Sequence, residues 1–212
     1  MDLLAKIDAL IDEHHLLTHP FYTRWVAGDL PIEAIRDYAR RYYAFESAFP
    51  RFLSAIHSKT ERRDLRQHLL ENLWDEEHGE ENHAELWLRF AEAVGVGRED
   101  VLGAERGVAA ERLVESYERA ARSPVAGVAA IHAYERQVPA VARAKIDGLR
   151  EHYGIEEGLT FWEVHERLDV EHAEAERAIL AEVGADDPEA AVEATREALD
   201  AWWGFLDSVD VA

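Results

Sequence analysis

An all-α fold follows from two features of this chain: apolar residues recur at i, i+3, i+4 and i+7 along most of its length, and no stretch sustains the apolar/polar alternation of a half-buried strand. No Ser- or Gly-rich linker and no repeat period divides residues 1–212, so a single domain is expected. The breaks between helices are legible as Pro and Gly punctuation. A first helix spans about residues 3–17 and ends at His19-Pro20; a short second one ends at the Gly28-Asp29-Leu30-Pro31 turn. A long segment then runs to about Thr60, with a kink expected at Pro50, whose ring removes a backbone donor. The next helix covers about 61–94 and is closed by Gly95 and Gly97, and a looser one covers about 105–121. Ser123-Pro124 reads as an N-cap followed by Pro at N1, opening a helix to about His152. Thr160 and Glu163 form a capping box for the helix ending at Gly184, and Asp187-Pro188 opens the last. Seven or eight helices are expected.

Composition narrows the chemistry. The formal charge of −21, from 44 acidic and 23 basic residues, disfavours nucleic acid and anionic membrane surfaces as partners. The chain has no cysteine, which excludes disulfides, iron–sulfur clusters, Cys-type zinc sites and thiol nucleophiles. No segment approaches the apolar length of a membrane span, and the charged N-terminal run does not read as a signal peptide, so a cytoplasmic protein is expected.

Eleven histidines and 44 acids make spacing the useful filter. In TFWEVHERLDVEHAEAE, at about 100° per residue, His165, Asp169 and His172 fall on one stripe, beside Phe161 and Leu168. Two imidazoles and a carboxylate turned into a core are costly unless a divalent metal or a polar network satisfies them, and this helix alone leaves both readings open. In NLWDEEHGEENHAELW, Glu76 and His83 are seven residues apart, on one helix face with Leu73, Leu86 and Phe90. Glu80 offers a rival ExxH pairing with His83, whereas Glu77, His78, Glu81 and Glu85 read as a solvated acidic face. A third segment, GVAAIHAYERQ, is small and apolar up to Tyr134-Glu135, and a lone glutamate in such a helix calls for a partner. Glu76, His83, Glu135, His165, Asp169 and His172 together supply three carboxylates and three imidazoles, an inventory for two hard-to-borderline metal ions that activate dioxygen. Two divalent ions against three carboxylates leave one positive charge, room for reduced dioxygen.

The pattern E-x6-H … E … H-x3-D-x2-H resembles that of the haem-oxygenase-like di-metal oxidases. The blocks HPFYTRW (19–25), YYAFESAFPRFLSAIHS (42–58), NLWDEE with NHAELW (72–87), YERQVPAVARAKIDGL (134–149) and GFLDS (204–208) resemble, in order, the CADD-type para-aminobenzoate synthases (chlamydia protein associating with death domains). The resemblance implies a seven-helix bundle of haem-oxygenase type that binds no haem. It also implies a di-iron or iron–manganese site on the six residues above, dioxygen as co-substrate and an external reductant. The product would be para-aminobenzoate for folate biosynthesis, its carbon skeleton taken from Tyr22 and its amino nitrogen from Lys145, so that each chain is consumed in use. A homodimer is expected, as bundles of this type often pair. An arginine could not deliver nitrogen as a neutral amine, and Lys145 is one of only three lysines among the 23 basic residues. Tyr43 and Tyr134 are candidates for hydrogen-bond partners around the site. Two further readings stand beside this one: a di-iron oxidase of an external amino acid, amine or fatty acid, and a non-enzymatic helical interaction module. The chain has no cysteine-containing tail and no mark of a death-domain surface, so the host-interaction role of the family is not carried over.

Overall fold

The structure is a computed structural model that describes residues 2–209. The all-α expectation holds. Among the described residues there are twelve α-helices and a 3-10 turn at Leu16–Thr18: α1 (Leu3–Glu13), α2 (Pro20–Ala27), α3 (Ile32–Glu46), α4 (Phe49–Lys59), α5 (Arg63–Glu77), α6 (His83–Ala93), α7 (Arg98–Leu102), α8 (Gly107–Ala120), α9 (Pro124–Glu135), α10 (Val138–Tyr153), α11 (Thr160–Val183) and α12 (Pro188–Val209). None is long and apolar enough to cross a membrane.

The count exceeds seven or eight because three expected long helices are interrupted and α7 forms in what reads as a loop. Pro50 does not kink a continuous helix; the chain breaks at Ser47-Ala48 and Pro50 sits in the first turn of α4, where its missing N–H costs nothing. The expected 61–94 helix stops at Glu77, passes through Gly79 at φ +85°, and restarts at His83 with Asn82 as its cap, the Asn82 side chain accepting from Glu85 N at 3.0 Å. The 124–152 helix breaks at Arg136-Gln137, and Pro139 opens α10. Gln137 seals that break: its Nε2 donates to Ala133 O at 2.6 Å and its Oε1 accepts from Leu16 N at 2.8 Å. The Thr160/Glu163 capping box is absent, because Leu159 occupies the cap position and Thr160 is already helical.

α9 is the axis of the molecule. Its residues from Gly127 to Glu135 are all buried, with α12 and α8 on one side and α11 on another. α10 and α11 pack side by side, α5 and α6 close against α11, and α3 lies on α6 and α8. One close approach matters for the site: a Cβ at Gly148 would lie 2.7 Å from Trp25 Cδ1, so glycine there lets α10 press onto α2. The same contact joins Trp25 Nε1 to Lys145 O at 3.3 Å. A core of aromatic rings, with Tyr42 4.0 Å from Trp87 and Tyr134 stacked on Trp202 at 4.7 Å, fills the interior beside the polar cluster described next.

Candidate metal centre

Three helices end in carboxylates that point into the interior: Glu46 closes α3, Glu76 is the penultimate residue of α5, and Glu135 closes α9. All three are 5% exposed or less. A helix C-terminus carries partial negative charge, so a buried anion there is doubly unfavourable, and neither α3 nor α5 has a basic residue in its last turn. Local rules broken together at one place indicate a functional site, and a cation is the kind of partner that would offset these carboxylates.

Histidines face these carboxylates. Glu76, His83 and His165 each offer a ligand atom within 4.8 Å of the others. His83 Nδ1 lies 2.9 Å from Glu76 Oε1, a buried imidazole–carboxylate contact. His165 Nδ1 donates to Phe161 O at 2.7 Å, which leaves Nε2 as its ligand atom and fixes the ring. Farther along α11, His172 Nδ1 is 3.7 Å from Asp169 Oδ1, while its Nε2 meets Asp75 Oδ2 at 3.2 Å. Asp75 thus fixes the orientation of the His172 ring. Glu135 accepts from Asn72 Nδ2 through both oxygens, at 2.9 and 3.2 Å. His172 Nδ1 and Asp169 Oδ2 are buried without hydrogen bonds, orphans of the kind a metal ion satisfies. Among the described residues, Glu76, His83 and His165 alone converge closely enough for one ion to be held by three donors; Asp169 and His172 lie farther along α11, 3.7 Å apart, with Glu135 held by Asn72.

Without a cation the site is electrostatically costly. Burial lifts the Asp169 carboxyl to about 8, and burial with the nearby Glu76 charge lifts Glu46 to about 8. Burial alone would lower His83, but the adjoining Glu76 carboxylate outweighs it and carries the imidazole up to about 9. His165 is held well below its ordinary value by burial and by His83, so it stays neutral, as a ligand must.

Beside this cluster lies a caged lysine. Lys145 is 1% exposed, which overturns the ordinary expectation of a surface side chain near a helix end. Its Nζ donates to Tyr38 Oη at 2.6 Å and lies 3.8 Å from the Trp162 ring centroid, 5.1 Å from that of Tyr22 and 5.7 Å from that of Trp25. Burial pushes the amine well below its ordinary value, which favours the neutral form. Tyr22 is buried on α2 with its hydroxyl against Tyr38, and burial keeps that phenol protonated. An amine without a carboxylate partner in a ring cage opposes folding. Lys145→Met keeps the volume and removes the polar head, and is expected to raise the melting temperature by about 2–4 °C, corresponding to on the order of 1 kcal/mol. An unchanged or lower melting temperature would show that the amine is not strained in the fold.

The tyrosines divide. Tyr134 is buried with its hydroxyl 2.6 Å from that of Tyr42. Tyr43 turns the other way and is half-buried, with Arg98 and Glu85 among the charges it feels; its helix neighbours Tyr38 and Tyr42 face the site instead. Glu80 is exposed, so the rival pairing with His83 does not form. Sequence reasoning missed Glu46, Asn72, Asp75 and Glu176. Glu46 is a lone acid among aromatics, the same signal that exposed Glu135. Glu176 lies four residues beyond His172 on the stripe already recognised.

This fold and donor set define a class: the chain belongs to the iron-containing redox enzyme family, whose profile matches residues 36–203, and it is an oxidoreductase. Its full-length relatives include proteins named 4-aminobenzoate synthase, one from Chlamydia muridarum at 42% identity over 98% of this chain and 90% of that one, and one from Nitrosomonas europaea at 41% over 96% and 89%. A pyrroloquinoline-quinone synthase of Klebsiella pneumoniae is 27% identical over 95% of this chain and 83% of that one. Among solved structures, a TenA homologue from Pseudomonas syringae superposes with a TM-score of 0.82 at 17% identity, covering 98% of this chain and 90% of that one. These likenesses agree with a haem-oxygenase-like fold.

Proposed function

We propose that this protein is an oxygen-dependent di-metal enzyme that forms 4-aminobenzoate, taking the ring from its own Tyr22 and the amino nitrogen from its own Lys145. The observation that carries the reading is the Lys145 amine buried in a closed aromatic cage, 5.1 Å from the Tyr22 ring centroid, where burial weakens its basicity. A buried lysine with no ion-pair partner has no structural purpose that methionine would not serve better, and nitrogen delivery needs the neutral form that burial favours. The full-length similarity to proteins named 4-aminobenzoate synthase supports the product, and the family supports iron in the site.

Glu76, His83 and His165 would hold one metal ion, and Glu135, Asp169 and His172 the other, iron in both or iron with manganese. When bound, such a pair supplies dioxygen activation with electrons from an external reductant. The protein's own residues do the rest. Phe161 O and Asp75 orient His165 and His172. Asn72 holds Glu135. Tyr38 fixes the amine by its hydrogen bond, and the Trp25 and Trp162 rings exclude water around it. The phenol hydroxyl of Tyr22 stays protonated until its ring reacts.

The test is metal content after anaerobic reconstitution with iron and manganese, followed by air exposure and quantification of 4-aminobenzoate. About two ions per chain are expected in wild type, with a clear loss in His165→Ala and Glu135→Ala, each of which removes a ligand from one half-site. At most about one product per chain is expected, since each chain carries one Tyr22. Many turnovers per chain would refute the self-substrate reading and point to an external amine or amino acid; no bound metal would refute the centre itself.

A further inference from the structure

A cleft of about 800 Å³ runs between α5 and α11, and five carboxylates line it: Glu71, Asp75, Glu171, Glu174 and Glu176. No lysine or arginine is among its described lining residues. Its outer rim is exposed at Glu171, Glu174 and Trp74, and its inner end reaches His172, the most exposed of the six candidate ligands, with its side chain 11% exposed. The inner wall carries buried oxygens short of donors. Glu176 is 4% exposed and its carboxyl faces that of Glu135, with His132 Nδ1 at 3.6 Å and no hydrogen bond from any other side chain. Asn72 donates to Glu135 through its amide nitrogen and leaves its buried Oδ1 unpartnered at the same place.

Buried oxygens short of donors at the end of an anionic channel, touching two ligands of the metal centre, suit a transient guest with positive charge and a preference for oxygen. We propose that this cleft is the loading route for the metal centre, and that Glu176 receives a divalent cation at its inner end and passes it to Glu135 and His172. The inference rests on the two-metal reading above. The rim carboxylates raise the local cation concentration by electrostatic attraction, which salt screens. Glu176 then substitutes for the water ligands that the ion sheds on leaving solvent, and the ion moves on to the imidazole and carboxylate set that binds it more completely. A permanent third ion is not required, because Glu176 and Asn72 offer too few donors to hold a cation against the six-ligand centre.

The test follows Co²⁺ and Mn²⁺ uptake by metal-free protein in stopped flow, reading cobalt absorbance and loss of the free-manganese EPR signal. Wild type is compared with Glu176→Gln and with the rim variant Glu171→Gln/Glu174→Gln. Glu176→Gln is expected to slow uptake by about ten-fold, as for loss of one charge-assisted contact, and to end at the wild-type number of bound ions. The rim variant should slow uptake several-fold at low ionic strength and match wild type at roughly half-molar salt, where the Debye length is only a few Å. Wild-type uptake rates in Glu176→Gln at equal final occupancy would overturn the proposal and leave Glu135 and Glu176 as a proton-sharing pair. Fewer bound ions at equilibrium in Glu176→Gln would make Glu176 a permanent ligand, which also overturns it. Wild type binding no ions would bring down the two-metal reading, and this inference with it. The rim residues are exposed, so their variant keeps the test decisive if Glu176→Gln disturbs the fold.

Discussion

Tyr22→Phe is expected to abolish 4-aminobenzoate formation while leaving about two metal ions per chain. The ring is buried, 2% exposed, and packs edge-on against Phe21 at 5.3 Å, so a phenylalanine fills the same volume. What disappears is the hydroxyl, which rests against Tyr38 in the hydrogen-bonded string that ends at Lys145 Nζ. Its removal should cost about 1 kcal/mol of stability, too little to unfold the protein or to disturb ligands on α5, α6, α9 and α11. The chemistry is affected far more, because the phenol oxygen is what makes the ring readily oxidisable. Lys145→Met should give the same zero yield by the other route, with a more stable protein. Product from Tyr22→Phe at the wild-type level would remove Tyr22 from the reaction and leave the metal centre standing. Loss of metal together with product would mean that Tyr22 holds the site open and is not its substrate.

The candidate ligands come together for a reason that differs from the one spacing suggested. On α11 the helical stripe argument is correct, and His165, Asp169 and His172 share the face it assigns them. Glu76 and His83 do not lie two turns apart on one helix; they meet across a break, with Gly79 and the Asn82 cap bringing the end of α5 and the start of α6 together. Seven residues suffice to return to the same neighbourhood by either path. Hydrophobic periodicity runs through such breaks because both helices bury the same side against the core. The local cues that would have shown the interruption, Asn82 three residues before Glu85 and Pro139 after Gln137, lie inside otherwise continuous apolar patterns. Nothing in one chain reports which of two adjacent tyrosines, Tyr42 or Tyr43, turns inward; the neighbouring helices decide that.

The interruptions also serve the site. A carboxylate at a helix C-terminus can reach past the last turn toward the axis of the bundle, whereas one in mid-helix is confined to its own face. Glu46, Glu76 and Glu135 all exploit this, at the cost of placing negative charge on the negative ends of α3, α5 and α9. Stability is given up locally so that anionic groups from separate helices can converge on a small volume.

That cost has a measurable sign. Metal-free protein is expected to lose thermal stability as pH rises from 6.5 to 9, and reconstitution with metal is expected to flatten the trend. Burial holds the Glu46 and Asp169 carboxyls up to about 8 and raises Glu135 and Glu176 as well, so the native state keeps protons that the unfolded chain releases above about 4.5. His83 loses some basicity to burial, but the Glu76 carboxylate more than restores it and carries the imidazole to about 9, against about 6.5 unfolded, and His172, also weakened by burial, shifts in the same direction through its interaction with Asp169. For every one of these groups the folded value exceeds the unfolded one, so the stability each contributes is complete below its unfolded value and is lost as pH climbs through the folded one. Lys145 runs the other way, since burial makes the native state bind fewer protons than the unfolded chain, but it is one group against six. His132, depressed to about 4 by burial, and the depressed His165 exchange their protons below the window. Each net proton held by the native state costs about 1.4 kcal/mol per pH unit, or about 2–4 °C in melting temperature. Metal ions replace those protons at the ligands, so the melting temperature gained on reconstitution should be larger at pH 8.5 than at pH 6.5. Glu46→Gln, which leaves the α3 terminus without a titrating carboxyl, should show a shallower metal-free slope than wild type, separating the buried cluster from the general acidity of the surface. A metal-free melting temperature that stays level or rises across this range would mean that the cluster already holds its charges in balance, and the electrostatic argument for a cation at its centre would fail.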